Sequence, residues 1–293
     1  MELEYWAELS QAICVVQRRF RCNPRDIHPT SRIVRVHLWA TLHERCTSWG
    51  CRASSWTNKT RPQESLPDQS TMSRRLRRHD FNTFMKAMLR RCAGKAQQRL
   101  LKIIDGKPLE LPNHTTDRDA RWGRGVSRQS VGYKLHMIYS GNPLPDAFVI
   151  TPLDVCEKRM AMRMIRRVGG SGYLLGDSHY NASWLFDVCR HHGHLLISAR
   201  TKPHTGIGHH YQSSQRLRSI ELTEPPGGIN RFGPSLYRRR GEIERQFAQL
   251  VSFGGGLSVL PSWVRRIWRV RNWVWAKLLI NAARVRSNRS CAR

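Results

Sequence analysis

The chain has 293 residues, with 50 lysines and arginines against 21 aspartates and glutamates, so its formal net charge is +29. Such an excess of positive charge predicts a polyanionic partner. Hydrophobic residues make up 40% of the chain, which at this length supports a sizeable core and excludes a solvated basic coil.

The N-terminal stretch MELEYWAELS lacks the basic start and apolar core of a signal peptide. No apolar run approaches the roughly 20 residues that cross a bilayer, so we expect a soluble, cytoplasmic protein without a membrane partner. Eight cysteines include no CxxC pair, which argues against a disulfide scaffold. His37, His43, Cys46 and Cys51 could gather around zinc, but their spacing fits no common zinc finger and favours an ordinary amphipathic helix.

Residues 1–98 are predicted to form a helical DNA-binding region. Residues 32–45 have helical periodicity, residues 52–69 form a polar connector with prolines, and a basic helix follows from Ser70, which can cap it. Met72 and Leu76 share one face of this helix. Arginines cover the remaining surface: Arg74, Arg75, Arg77 and Arg78. Guanidinium groups and helix N-terminal amides both suit DNA phosphate, so we favour DNA contact over a merely solvated basic face.

Residues 99–255 alternate between strands and helices. We predict strands that end at Asp105, over 131–139, over 146–152, at Asp177 and over 194–200, with helices over 156–168 and over NASWLFDVCRHH. Three closely spaced strands suggest antiparallel pairing, and the helix-linked strands suggest parallel crossovers. The sequence therefore predicts an α/β domain, with a mixed sheet flanked by helices and an insertion over about 201–235.

The C-terminal residues 256–293 predict one further helix. Ile267, Val270, Val274 and Leu278 form its apolar stripe, and the outer face is basic. Trp263 and Trp268, interleaved with arginines, could instead stack on bases. In the earlier loop TTDRDARWGRG, Asp117 and Asp119 favour a salt-bridged surface loop over a hairpin that lies near DNA.

Asp105 and Asp177 each end an apolar strand. If the two strands are neighbours, both carboxylates lie at one edge of the sheet, where their repulsion favours a cation such as Mg²⁺. A third acid is expected in LYRRRGEIERQFAQL, residues 236–250. There Glu244 adjoins the apolar stripe of Ile243, Phe247 and Leu250, which favours an inward-facing side chain. Glu242 lies farther round the helix and is predicted to balance Arg238 and Arg239.

The segments KIIDGKPL, LLGDSHYN and YRRRGEIERQF together resemble the catalytic motifs of DDE transposases, over residues 66–285. The resemblance is closest to the bacterial insertion-sequence group, IS-four-like, whose third motif reads Tyr-x2-Arg-x3-Glu-x6-Lys. Tyr237, Arg240 and Glu244 have these spacings. Val251 stands where the motif has lysine, a residue thought to contact DNA near the reacting end.

The resemblance implies a ribonuclease-H-like catalytic domain. Asp105, Asp177 and Glu244 would hold two Mg²⁺ ions, with Mn²⁺ able to substitute, and Tyr237 and Arg240 would engage the DNA backbone. The implied reactions are hydrolysis at a transposon end and transfer of the freed 3′-OH to target DNA. The implied setting is a homodimer on double-stranded DNA, associated with the nucleoid in a bacterial cytoplasm.

Two other functions remain as alternatives. A non-catalytic, decayed transposase copy would bind DNA without cutting it, and Val251 favours this alternative. A nickase would use His192, His194 and a tyrosine nucleophile at Tyr237, but Gly193 lies between the histidines where such enzymes have a bulky apolar residue.

Overall fold

The computed structural model describes residues 2–21, 23–93, 99–112, 115–203, 205–208, 211–225, 231–252, 257 and 259–291, with the backbone alone for 251–252 and 289–291. The chain divides into two compact units. Unit 1 comprises Met1–Lys95 and Leu250–Arg293, and unit 2 comprises Ala96–Gln249. No described helix is both long and apolar enough to cross a bilayer.

Unit 1 is helical and has the C-terminal helix at its centre. Its helices are α1 (Glu2–Gln17), α2 (Thr30–Leu42), α3 (Thr47–Gly50), α4 (Gln69–Arg75), α5 (His79–Ala93) and α11 (Ile267–Cys291). Helix α11 packs against α1, α2 and α5. Val274 and Leu278 of the predicted stripe are buried, but so are Ala276 and Ile280 on other faces. The expected basic outer face is therefore wrong for the middle of this helix, because three helices surround it.

The predicted basic helix is two helices in the structure. Helix α4 ends at Arg75 and α5 begins at His79. The capping residue of α4 is Asp68 and not Ser70, because the Asp68 Oδ1 atom accepts hydrogen bonds from the Thr71 amide at 2.6 Å and from the Ser70 hydroxyl at 2.9 Å. A carboxylate one residue before the helix thus captures both the backbone donor and the hydroxyl.

The described part of unit 2 is built on a six-stranded mixed sheet. Its strands are β1 (Leu101–Glu110), β2 (Arg121–Arg124), β3 (Gln129–Tyr139), β4 (Ala147–Pro152), β5 (Gly172–Gly176) and β6 (His194–Ser198). They lie in the order β2-β3-β1-β5-β6, and β4 also pairs with β3. The pairs β1–β3, β2–β3 and β3–β4 are antiparallel, whereas β1–β5 and β5–β6 are parallel. The predicted mixed sheet is confirmed.

Two strand predictions differ from the structure. Strand β1 does not end at Asp105 but continues to Glu110, because β3 pairs with it along this whole length. Strand β2 was not predicted, since four residues with two arginines and a glycine carry no apolar alternation. Together these strands extend the sheet well past Asp105.

Helices cover the sheet and also occupy the predicted insertion. The helices of unit 2 are α6 (Glu157–Ile165), α7 (Ser183–His191), α8 (Ser214–Thr223), α9 (Phe232–Arg238) and α10 (Gly241–Ser252), of which α10 continues past the unit boundary at Gln249. Apolar side chains of α6 and α7, including Met164 and Phe186, form a core with Ile104 of β1 and Leu174 of β5. The insertion contains α8 and the start of α9, and its residues 204, 209–210 and 226–230 lie outside the described residues.

Candidate active site

Two aspartates lie at the same level on neighbouring parallel strands. Strands β1 and β5 pair in a register that matches Ile103 with Leu175. Two residues further along each chain, this register brings Asp105 level with Asp177. Asp105 lies within β1, and Asp177 directly follows β5. The two strands are neighbours and their acids lie level with each other, but Asp105 is not at an edge of the sheet, because β1 continues past it to Glu110.

The environment of the Asp105 carboxyl group favours its protonated form. Burial raises the pKa of Asp105 to about 7, and the nearby charges of Asp177 and Glu157 act in the same direction. A hydrogen bond from the Gly106 amide to Asp105 Oδ1 (2.7 Å) and the charge of Arg240 act against this rise. Additional positive charge at this position would stabilise the ionised form.

Asp177 is fixed by the short turn that follows β5. Its Oδ1 accepts the His179 amide at 3.0 Å, and its Oδ2 lies 3.0 Å from His179 Nδ1. Tyr180 is fully buried against Gly176, where an added Cβ would lie 2.9 Å from the Tyr180 ring. The glycine before Asp177 thus makes room for the tyrosine that anchors the turn.

The end of the DSHYN segment joins this turn to β6. The Asn181 side-chain amide donates to the carbonyl oxygens of Ser198 and Ala199, both at 3.1 Å. The Ser198 hydroxyl donates to the Asp177 carbonyl oxygen at 2.6 Å. These bonds fix the backbone of Asp177, and its side chain stays partly exposed to solvent.

Glu244 lies on α10 and points to solvent, contrary to the expected inward orientation. Its side chain is 62% exposed and pairs with Arg240 Nη2 at 3.2 Å. Arg240 in turn acts on the charge of Asp105, and Lys107 of β1 lies over the Phe247 ring of α10 at 5.8 Å. Helix α10 is therefore beside β1, and Arg240 interacts electrostatically with both Glu244 and Asp105.

Glu242 has the role that the sequence predicts for it. It forms an ion pair with Arg239 Nε at 2.8 Å, one turn earlier on the helix surface. Tyr237, on α9, is half-buried. The side chain at position 251, where the motif lysine is replaced, lies outside the described residues.

The three predicted ligands are not gathered into one group. Within the described ranges, no three His, Cys, Asp or Glu side chains lie close enough to hold a metal ion. The structure places Asp105 and Asp177 side by side on neighbouring strands. Glu244 instead forms an ion pair with Arg240. The aspartate pair still fits a hard divalent cation, because it offers oxygen donors and repels itself when both groups are ionised.

Glu157 and Lys134 adjoin the site and were not found from the sequence. Lys134 Nζ lies 2.6 Å from Glu157 Oε1, and Lys134 is only 7% exposed. A Cβ added to Gly106 would lie 3.3 Å from Glu157 Oε1, so this carboxylate contacts the backbone next to Asp105. The available signal was a lysine within the otherwise apolar strand VGYKLHMIY.

The four basic residues predicted to contact DNA have two different environments. Arg74 and Arg77 are exposed. Arg75 is buried, with ion pairs to Asp26 at 3.2 Å and Asp80 at 3.1 Å. Arg78 donates two hydrogen bonds to the Asp26 carboxylate. The predicted availability of Arg75 for phosphate is therefore wrong, because its charge is used inside unit 1.

Trp268 also has a defined environment in unit 1. The guanidinium groups of Arg77 and Arg269 each lie 5.0 Å from its ring centroid. Both contacts are cation–π interactions, which orient the two cations. The alternative of base stacking by Trp268 has no support from this arrangement, and Trp263 is 37% exposed.

The minor alternatives lack structural support. The His37 ring contacts the Asn272 carbonyl oxygen at 3.2 Å, and the thiols of Cys46 and Cys51 contact oxygens of neighbouring residues in their own segment. These side chains form no metal-binding group among the described residues. His194 is buried at the start of β6, whereas a catalytic histidine pair must be exposed to its substrate.

A mixed sheet with aspartates at the same level on adjacent parallel strands, Asp105 within β1 and Asp177 just after β5, defines an α/β class of domains that place their chemistry beside these strands. Residues 96–279 match the transposase DDE domain family, so the chain belongs to this family and is a DDE-type transposase.

The structure is similar to that of piggyBac transposase, solved by cryo-EM in a synaptic complex with hairpin DNA. The TM-score is 0.52 at 10% sequence identity, and the match covers 99% of this chain and 74% of that one. At this identity the likeness concerns the fold. No curated protein matches the chain in sequence.

Proposed function

We propose that this protein binds the terminal inverted repeats of an insertion sequence, cuts the DNA strands there and joins them to target DNA. The observation that carries the proposal is the level placement of Asp105 and Asp177 on neighbouring parallel strands. Family membership, a net charge of +29 and a fold similar to a transposase bound to DNA support DNA as the partner.

Asp105, Asp177 and Glu244 would hold Mg²⁺, with Mn²⁺ able to substitute. Two such ions, when bound, supply an activated water and stabilise the leaving oxygen. Glu244 pairs with Arg240. A DNA phosphate is a competing partner for this guanidinium, since arginine binds phosphate through two parallel hydrogen bonds. Phosphate binding to Arg240 would therefore free the Glu244 carboxylate beside β1.

The same proposal includes the finer features implied by the motifs. These are a ribonuclease-H-like catalytic domain, membership of the IS-four-like group, action as a homodimer on two DNA ends, and a bacterial cytoplasm as the compartment. Tyr237 and Arg240 would contact the DNA backbone, as would Arg74 and Arg77 in unit 1.

The test is Mg²⁺-dependent cleavage of a labelled duplex that carries the DNA flanking this gene. We compare the wild type with Glu244→Ala, Asp105→Asn and the control Glu242→Ala, which removes a neighbouring glutamate that also pairs with an arginine. We expect Glu244→Ala and Asp105→Asn to lose at least about 1,000-fold in rate, as for groups that act on the transition state. Glu242→Ala should stay within a few-fold of the wild type.

Equal loss in both glutamate variants would assign Glu244 a structural role and remove it from the proposed triad. Duplex binding without metal, measured in parallel, separates a loss of chemistry from a loss of DNA affinity.

A non-catalytic DNA-binding protein is the second candidate. It is favoured by the exposed Glu244, by the missing three-ligand group among the described residues and by Val251. This candidate predicts that the wild type binds the duplex with or without Mg²⁺ and cuts nothing. Val251→Lys, which restores the motif lysine, should then recover cleavage if that position alone is defective.

A further inference from the structure

The hairpin of unit 2 formed by β2, residues 125–128 and the start of β3 is called here the arginine hairpin. Trp122 is 59% exposed and Val126 is 69% exposed, although both are large apolar residues. Arg124 and Arg128 next to them are also exposed. Apolar and cationic side chains thus share one projecting surface.

The tip of the arginine hairpin is held in one conformation. Gly125 donates its amide hydrogen to the Arg128 carbonyl oxygen at 2.9 Å, which closes the turn. Glu110 Oε1, at the end of β1, accepts the Val126 amide at 2.7 Å and the Ser130 hydroxyl at 3.1 Å. A Cβ at Gly125 would collide with this carboxylate oxygen. The hairpin is therefore pre-organised, which lowers the entropy cost of binding a partner.

The exposed side chains of β2 share one open face. Adjacent residues of a strand point to opposite sides, so Trp122 and Arg124 lie on the same side. The other side, at Gly123, lies against the Leu153 carbonyl oxygen, which an added Cβ would approach to 2.6 Å. Trp122 and Arg124 consequently project away from the body of the sheet.

No carboxylate of the described residues forms an ion pair with Arg121, Arg124 or Arg128. Arg121 donates to the Arg118 carbonyl oxygen at 3.5 Å, and Asp117 accepts the Tyr133 hydroxyl at 2.8 Å. The salt-bridged surface loop expected around Asp117 and Asp119 stays a prediction. Exposed guanidinium groups that form no ion pair with a described carboxylate are complementary to a polyanion.

We propose that the arginine hairpin is a docking surface for double-stranded DNA, with the arginines on phosphates and Trp122 and Val126 in the groove between them. The proposal rests on the proposed function in that DNA is the substrate. Asp105 pairs with Met137 of β3, and eight residues separate Met137 from Gln129 at the hairpin. This separation is roughly 27 Å in a strand. The hairpin would therefore contact the duplex about 8 base pairs from the cleaved phosphate.

The experiment measures binding of a fluorescein-labelled 30-base-pair duplex, carrying the flanking DNA, by anisotropy across a salt series. The hairpin variant is Arg124→Gln/Arg128→Gln in the full chain. Its matched control is Arg166→Gln/Arg167→Gln, which removes the same charge from an exposed site just after α6 in unit 2. We expect the hairpin variant to flatten the slope of log affinity against log salt by about 1.8, or about 0.9 for each phosphate that the variant no longer neutralises.

Trp122→Ala gives an independent readout. It removes an apolar side chain but no charge, so we expect about tenfold weaker binding with an unchanged salt slope. Shortening the duplex to fewer than about 8 base pairs on one side of the cleavage site should abolish the difference between the hairpin variant and the wild type. Thermal unfolding of each variant checks that the fold is intact.

Three results would overturn the inference: a wild type that does not bind the duplex, a hairpin variant whose slope changes no more than the control, or tighter hairpin-dependent binding to duplex RNA than to DNA. All these measurements are of binding. A wild type that binds through the hairpin but does not cut DNA would refute the proposed catalysis and leave this inference intact.

Discussion

At the scale of single residues, the ion pair between Lys134 and Glu157 shows what the site needs beyond its aspartates. Lys134 is nearly buried in β3, and its ammonium group forms an ion pair with the Glu157 carboxylate. Burying an unpaired charge is far more costly than burying an apolar side chain of similar size. Glu157 therefore stabilises the sheet next to Asp105 as well as adding negative charge there.

We expect Glu157→Ala to lower the free energy of unfolding by about 2 kcal/mol, because it leaves the Lys134 ammonium group buried without a partner. The double variant Lys134→Met/Glu157→Leu should recover most of this loss, since it removes both charges and keeps the volume. Urea denaturation at pH 7 measures both. A double variant as unstable as Glu157→Ala would mean that the cost comes from packing and not from the unpaired charge.

The difference between the aspartates and Glu157 also shows how far sequence reasoning extends to the site. Asp105 and Asp177 end or interrupt apolar strands, which is a local pattern that one sequence displays. Glu157 is the first residue of α6, where an acid is ordinary because of the helix dipole. Its role depends on Lys134, 23 residues earlier, and this pairing exists only in the folded sheet.

At the scale of elements, two neighbouring arginines of α4 have different roles: one is buried and stabilises the fold, and the other is exposed. Arg75 points into unit 1 towards Asp26 and Asp80, whereas Arg74 points to solvent. A helical pattern predicts which apolar residues share a face. It does not predict that Asp26, far away in the sequence, forms an ion pair with Arg75. The basic stretch could therefore be predicted, and the different roles of its arginines could not.

We expect Arg75→Ala to cost about 2 kcal/mol in the free energy of unfolding, because Asp26 and Asp80 each lose one of their two arginine partners and keep only Arg78. Arg74→Ala should change stability by less than about 0.5 kcal/mol, as for an exposed side chain. If α4 contacts DNA, Arg74→Ala flattens the salt slope of duplex binding by about 0.9. Urea denaturation of the two variants measures stability, and fluorescence anisotropy measures their DNA binding. An unchanged slope of log affinity against log salt for Arg74→Ala would contradict DNA contact at this helix.

The sequence predicts the strands that have continuous apolar runs. It does not predict strand segments that form only because an adjacent strand pairs with them. Strands β3 to β6 follow apolar patterns, whereas β2 exists because the edge of β3 is available to a four-residue segment. The extension of β1 past Asp105 has the same cause. Pairing partners that lie far along the chain thus decide the part of the sheet that forms the arginine hairpin.

At the scale of the whole molecule, the two ends of the chain belong to one unit. Nothing in the sequence of α11 predicts this, because its partners in α1, α2 and α5 are about 200 residues away or more. His37 is one such contact. Its Nε2 lies 3.2 Å from the Asn272 carbonyl oxygen, across 235 residues of sequence. Because a carbonyl oxygen only accepts, Nε2 carries the hydrogen atom in this bond.

His37 in unit 1 and His136 in unit 2 are buried histidines whose neutral form is favoured. Burial lowers the pKa of His37 in unit 1 from 6.5 to about 4. Burial, with a contribution from the charge of Lys134, lowers the pKa of His136 in unit 2 to about 3. In both cases the unfolded chain takes up the proton at a higher pH than the folded chain does. The stabilisation that comes from keeping these rings neutral is therefore complete above pH 6.5 and is lost as the pH falls below 6.5 towards the folded pKa values.

We expect each histidine to account for about 2 kcal/mol of stability lost between pH 7 and pH 5. His37→Gln and His136→Gln remove the titrating ring, so each variant should lose about 2 kcal/mol less than the wild type over this interval. Urea denaturation at the two pH values measures the difference. Asp105, whose pKa is raised to about 7, contributes with the opposite sign. Comparing each variant with the wild type cancels that contribution, and a variant with the same pH-dependent loss as the wild type would show that its histidine does not titrate on unfolding.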